Sequence, residues 1–125
     1  MKSRLLVSVV DDDESVRESL PDLVQELGFE VRAFASGEAF LCSNVLETTR
    51  CLILDVMMPG MSGHELIAQL RARNVTIPIV YITAYQDDGL RCQLLAEGAV
   101  ACLYKPFSDV ELLDALTAAI AKRTT

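Results

Sequence analysis

Five times along this chain, a short apolar run rich in β-branched residues is followed by a stretch whose apolar positions recur at helical spacing. This alternation restricts the fold more than any other feature. Consecutive parallel strands need a crossover, and a helix is the usual one. Strands are expected at residues 5–10, 30–34, 51–54, 77–82 and 99–104, and helices at 13–27, 36–42, 62–73, 87–96 and 108–122. In the first helix Val16, Leu20, Leu23, Val24 and Leu27 share one face, and Gly28 serves as its C-cap. Pro21 falls inside that helix, where it either bends the axis or sits where a lost hydrogen bond is tolerated. Ser62 with Glu65, and Ser108 with Glu111, have capping-box spacing and open the third and fifth helices. The second strand is the most polar and suits a sheet edge. The implied fold class is α/β, with helices on both faces of a parallel sheet.

The 125 residues form one domain, with no repeat, low-complexity segment or internal linker. A net charge of −7 argues against direct nucleic-acid binding, because phosphate backbones are bound through Lys and Arg. It leaves divalent cations and basic partner surfaces open. No stretch reads as a secretion signal or a membrane span, so a cytoplasmic protein is expected. Cys42, Cys51, Cys92 and Cys102 form no CxxC pair and are read as buried thiols in a reduced compartment.

Ligand and reaction sites of open parallel sheets form outside the carboxyl ends of the strands. Four of the five strands here finish on a reactive side chain: Asp11, Asp12 and Asp13 after the first, Asp55 after the third, Thr83 after the fourth and Lys105 after the fifth. Each alone has a plain structural explanation, such as an N-cap, a turn cap or a surface amine. Together, on one edge of the sheet, they pose an electrostatic difficulty. Carboxylates from two strand ends repel, and one lysine cannot neutralise them. A hard cation that prefers oxygen ligands resolves this, and Mg²⁺ is the natural choice. An aspartate can act as a nucleophile and carry an acyl phosphate. The transferring group needs its three oxygens compensated, here by the cation, by the Lys105 ammonium, and by the Thr83 hydroxyl with the Ala84 backbone N–H.

Residues 9–13 (VVDDD), 54–63 (LDVMMPGMSG), 82–84 (ITA) and 104–107 (YKPF) resemble the signature of bacterial response-regulator receiver domains. The likeness covers nearly the whole chain. Val16-Arg17-Glu18-Ser19-Leu20 and Phe40-Leu41 look most like receivers of the nitrogen-fixation regulator type, which usually carry a C-terminal helix-turn-helix output domain. The resemblance implies a flavodoxin-like, three-layer α/β/α fold with a five-stranded sheet in the order 2-1-3-4-5. It implies phosphorylation of Asp55 by a sensor histidine kinase or a small phosphodonor. Asp12 would bind Mg²⁺ (or Mn²⁺) directly, Asp11 would bind it through water, and Asp55 and the backbone carbonyl of Met57 would complete the protein ligands. It further implies a cis Lys105–Pro106 bond, an output domain or effector as partner, and a possible homodimer through the face of the fourth helix, fifth strand and fifth helix. The chain itself reaches only to Thr125 and is expected to hold the receiver alone, a switch rather than a turnover enzyme.

Three rivals share parts of this pattern. A phosphatase using an aspartyl phosphate needs an acid two residues after its nucleophile, and Met57 stands there. A flavin module of the same topology needs a hydroxyl- and glycine-rich first loop, where this chain has acids. A degenerate receiver acting only as a binding module would lack the Asp, Thr or Lys. His64 and the Met57, Met58 and Met61 thioethers are set aside as surface and loop residues, and Glu111, Asp114, Lys122 and Arg123 as a solvated helix face. One departure matters for signalling. The position three before the lysine, usually aromatic in receivers, is Cys102. Coupling is therefore expected to run through Thr83 and the following loop, with Tyr85 the large side chain that repacks.

Overall fold

The computed structural model describes residues 4–58 and 60–124; Pro59 of the loop motif lies outside them, as do the side chains of Arg123 and Thr124. The described residues form β1 (Leu6–Val10), α1 (Glu14–Glu26), β2 (Glu30–Phe34), α2 (Gly37–Leu41), β3 (Thr49–Asp55), α3 (Gly63–Ala72), β4 (Ile79–Thr83), α4 (Asp88–Ala96), β5 (Ala101–Tyr104) and α5 (Asp109–Thr124). The strands are parallel throughout, in the order β2-β1-β3-β4-β5. The sheet is the one expected, with the polar β2 at an edge.

Strand alternation divides the core in two. Val7, Val9, Cys51, Ile53, Val80, Ile82 and Leu103 face α1 and α5, where they meet Leu20, Val24, Leu112 and Leu116. Val10, Leu52, Leu54, Ile79, Tyr81 and Cys102 face α2, α3 and α4, against Phe40, Leu66, Leu70 and Leu94. The central strands are thus apolar on both faces, as parallel sheets require. Each fully buried Leu or Phe contributes about 1.5–3 kcal/mol relative to exposure.

Local chemistry sets the boundaries. Asp13 caps α1 by accepting from the Ser15 N–H, and Ser62 and Glu65 form the anticipated capping box of α3. Ser108 and Glu111 exchange the same pair of bonds ahead of α5. The helix of α1 runs through Pro21 without a break. β4 starts two residues later than expected because Pro78 has no N–H to give to a ladder, although its carbonyl accepts from Leu52. β5 also starts late. The Ala99 N–H closes α4 on the Leu94 carbonyl, and Gly98 turns the chain at φ +110°. β3 begins earlier than its apolar run, at Thr49. There a buried relay of hydroxyls replaces apolar packing: Ser8 Oγ lies 2.7 Å from Thr49 Oγ1, which donates to the Val45 carbonyl at 2.7 Å.

Two expectations about surface and core change. Cys51 and Cys102 are buried, but Cys42 and Cys92 are exposed. Cys42 follows the single turn of α2, and Cys92 lies on the outer side of α4. Lys122 is exposed yet not merely solvated, since its Nζ donates to the Gly98 carbonyl at 2.9 Å.

The hydroxyl relay gives a stability test. Thr49→Val leaves the Ser8 hydroxyl buried without its partner, so urea unfolding should show a loss of about 1–3 kcal/mol. The double variant Ser8→Ala/Thr49→Val should recover part of that loss, because neither polar group then remains.

Candidate functional site

The parallel sheet brings its carboxyl ends together, and the strand-end residues meet there. Asp55 and Thr83 are the last residues of β3 and β4, and Asp11 and Lys105 directly follow β1 and β5. Asp11 is fully buried, Thr83 is buried, and Asp55 is 7% exposed. Carboxylate oxygens of Asp11, Asp12 and Asp55 all lie within 4.8 Å of one another. Lys105 Nζ donates to Asp11 Oδ2 at 3.0 Å, and the Lys105–Pro106 peptide is cis.

The backbone supplies the remaining partners. Asp11 Oδ1 accepts from the Asp13 N–H at 2.9 Å, and Asp55 Oδ1 accepts from the Met57 N–H at 3.1 Å. The carboxylate of exposed Asp12 has no hydrogen-bond partner among the described residues. Arg17, one turn into α1, donates from its guanidinium to the Asp11 carbonyl at 3.0 Å. Sequence reading gave Arg17 no place in the site. The only signal was its position on α1, half-buried beside the acidic turn.

This charge arrangement is unbalanced. Burial, and then the neighbouring Asp11 carboxylate, push the Asp55 carboxyl up to about 6, against the opposing pull of the Met57 N–H and Lys105. The donor set is all oxygen, carries more negative charge than Lys105 offsets, and has one carboxylate free towards solvent. These residues fit a small hard dication.

Thr83 Oγ1 accepts from the Tyr85 N–H at 3.1 Å, which ties the hydroxyl to the β4–α4 loop. The link runs through the Tyr85 backbone. Its ring is 67% exposed. The loop after Asp55 is anchored elsewhere: a Cβ on Gly37 would come within 3.0 Å of Met61 Sδ, so the absence of a side chain on α2 lets that loop seat against it. Met57 is exposed, whereas Met58 and Met61 pack on the α2–α3 side of the core, in keeping with loop packing. His64 stands apart from the cluster, its Nε2 2.9 Å from Glu97 Oε1 on the α4 C-cap.

On β5, three residues before Lys105, Cys102 is 2% exposed, and its register partner on β4 is Tyr81. Tyr81 is 3% exposed, and burial pushes its phenol up to about 12. The ring lies under the start of α3, with Cε1 3.2 Å from where a Gly63 Cβ would be. In this register pair the aromatic ring is therefore on β4.

A sheet of this order, with a buried aspartate at its centre flanked by acids, a hydroxyl and an amine, is the frame of a signalling domain of two-component systems. Residues 7–117 match the family described as response regulator receiver domain, and the chain belongs to it. Nodulation protein W of Bradyrhizobium diazoefficiens is 44% identical over 117 residues, covering 94% of this chain and 52% of that protein. The transcriptional regulatory protein FixJ of Azorhizobium caulinodans is 37% identical over 122 residues, 98% of this chain and 58% of that one. Among solved structures, the response regulator StyR superposes with a TM-score of 0.86 at 43% identity, over 98% of this chain and 62% of that chain. FixJ-N gives 0.82 at 35% identity, over 97% and 96%. The chain spans about half the length of the curated relatives it matches. No helix among the described residues is long and apolar enough to cross a membrane.

The raised carboxyl of Asp55 has a definite stability signature. A carboxyl whose pKa is higher folded than unfolded favours the folded state below its unfolded value. That contribution is lost as pH rises through the folded value. In EDTA, the melting temperature should therefore fall between about pH 4 and 6, the window bounded by 3.8 and about 6 for Asp55. Asp55→Asn should flatten this part of the profile, as read by thermal unfolding across a pH series.

Proposed function

We propose that this receiver domain takes a phosphoryl group on Asp55 from a sensor histidine kinase or a small phosphodonor, with Mg²⁺ as cofactor and Mn²⁺ able to replace it. The observation that carries the proposal is the convergence of Asp55 with Asp11, Asp12, Thr83 and Lys105 at one sheet edge. Asp55 is the nucleophile. It is held by the Met57 N–H on one oxygen, which leaves the other for bond formation.

The cation would be held by Asp12, Asp55 and the Met57 carbonyl directly, and by Asp11 through water. The hydrogen bonds support this division. Both Asp11 oxygens are already engaged, by the Asp13 N–H and Lys105, whereas Asp12 is exposed and free. When bound, the cation supplies positive charge to the acid cluster and to a phosphoryl oxygen. Lys105 reaches into the cluster from β5 and compensates a second oxygen. The Thr83 hydroxyl and the Ala84 N–H, at the end of β4, serve the third.

The outcome is a switch rather than turnover. Thr83 Oγ1 can leave the Tyr85 N–H for the phosphoryl group, which frees the β4–α4 loop, with the exposed Tyr85 ring available to repack. A phosphatase reading is disfavoured because the position two after Asp55 holds Met57, whose exposed thioether cannot donate a proton to a leaving group. The signal would pass to an output domain or effector protein, or to a second receiver through the face formed by α4, β5 and α5. Several of the related full-length proteins are transcriptional regulators by name, so control of transcription in the cytoplasm is the process we assign. Contact with nucleic acid would fall to the output partner and not to this acidic domain.

Incubation with acetyl phosphate and Mg²⁺ should add one phosphoryl group to the wild-type chain and none to Asp55→Asn, as read by intact mass. Equal labelling of the two would move the site elsewhere. Mg²⁺ should also raise the melting temperature, because it binds the folded state and relieves repulsion among the acids. Asp12→Ala should abolish that response, and an unchanged Mg²⁺ shift in this variant would refute the ligand assignment.

A further inference from the structure

The helix after β4 is loosely seated. Of the nine residues of α4, Leu94 alone is buried and Leu90 is half-buried; the others are exposed. Apolar packing thus rests on buried Leu94 in the C-terminal half of α4 and on half-buried Leu90 alone in its first turn. Besides its Asp87 cap, whose Oδ1 accepts from the Leu90 N–H at 3.0 Å, that turn is tied to the sheet by polar contacts from a single side chain on β5. The Tyr104 hydroxyl donates to Asp88 Oδ1 at 2.7 Å, and the Arg91 guanidinium carbon lies 5.2 Å from the centre of the same ring. Asp88 and Arg91 are three residues apart, so both lie on the side of α4 that faces Tyr104. A hydroxyl donating to a carboxylate is a charge-assisted bond, and the guanidinium over the ring adds a second hold on the same group.

The place of Tyr104 in the sheet gives these contacts their meaning. Its register partner is Thr83, and the next residue is Lys105, whose N–H donates to the Thr83 carbonyl at 2.8 Å. Tyr104 is thus joined directly to both residues assigned to the phosphoryl group, while its side chain points away from the acid cluster and onto α4. Lys105 now spends its ammonium on Asp11. Contact with a phosphoryl group on Asp55 requires that hold to be shared or released, and any adjustment of the Lys105 backbone is felt at Tyr104.

We propose that Tyr104 is a positioning residue that couples the Asp55 site to the first turn of α4, through a latch made with Asp88 and Arg91. It takes the place in signal transmission that Cys102 is too small to fill. The latch acts beside the Thr83–Tyr85 backbone link, which reaches α4 through the loop. This inference rests on the phosphorylation of Asp55 proposed above.

The test follows the amide spectrum and hydrogen exchange of the intact chain, before and after phosphorylation with acetyl phosphate and Mg²⁺. Tyr104→Phe keeps the ring under Arg91 and removes only the hydroxyl. It should label at Asp55 as wild type does. The phosphorylation-induced shifts of residues 88–91 should fall to about half or less. In the unphosphorylated protein the Arg91 amide, bonded to the Asp87 carbonyl, should exchange several-fold faster. Asp88→Ala should reproduce both effects, Asp88→Asn should restore them because the amide oxygen still accepts, and Tyr104→Phe should add nothing to Asp88→Ala. A wild-type helix response in Tyr104→Phe, or failure of Asp88→Asn to rescue, would overturn the latch. If wild type itself takes up no phosphoryl group, the reading of Asp55 fails instead, and exchange at Arg91 still decides whether the latch holds the turn.

Discussion

The site depends on the enforced proximity of Asp11 and Asp55. Adjacent parallel strands place both carboxylates at one sheet edge, out of reach of most solvent. The sheet cannot relax to separate them, because β1 and β3 are locked by ladder bonds and by apolar side chains on both faces. Lys105 and two backbone N–H groups reduce the repulsion without removing it. This deficit of positive charge makes the edge receptive to a cation and to a group that brings one. It also explains why the chain tolerates a buried acid at its centre: instability is concentrated at the one place where a ligand can relieve it.

Much of this was legible in the sequence, for identifiable reasons. Strand ends and helix starts are marked by local chemistry, and Ser62 and Ser108 cap where their spacing predicted. The convergence of Asp11, Asp55, Thr83 and Lys105 followed once the strands were parallel, since topology alone then fixes which ends meet. What escaped was set by contacts between distant segments. Thr49 extends β3 because its hydroxyl finds Ser8 across the sheet, which no apolar pattern could announce. Arg17 reaches the Asp11 carbonyl through a long side chain whose direction the sequence does not encode. The buried-thiol expectation failed at Cys42 and Cys92 because composition says which residue types tend to be inside, not which helix face a given one occupies.

The two ends of α4 are held by different forces. Its C-terminal half has Leu94 in the core and the Glu97 carboxylate paired with His64 across to α3. Its N-terminal half has only half-buried Leu90 against the core and adds the Asp87 cap and a hydroxyl, a carboxylate and a guanidinium at the surface. The second set is open to water, ionic strength and competing partners in a way that the first is not.

Tyr81 carries a further consequence. Its ring sits on the middle of β4, two residues before Thr83, wedged between Cys102 and the first turn of α3. The ring is buried there, 3% exposed. The strand that bears the hydroxyl is therefore braced like the fixed part of a hinge. The aromatic bulk beside Cys102 is thus a buried part of β4 itself.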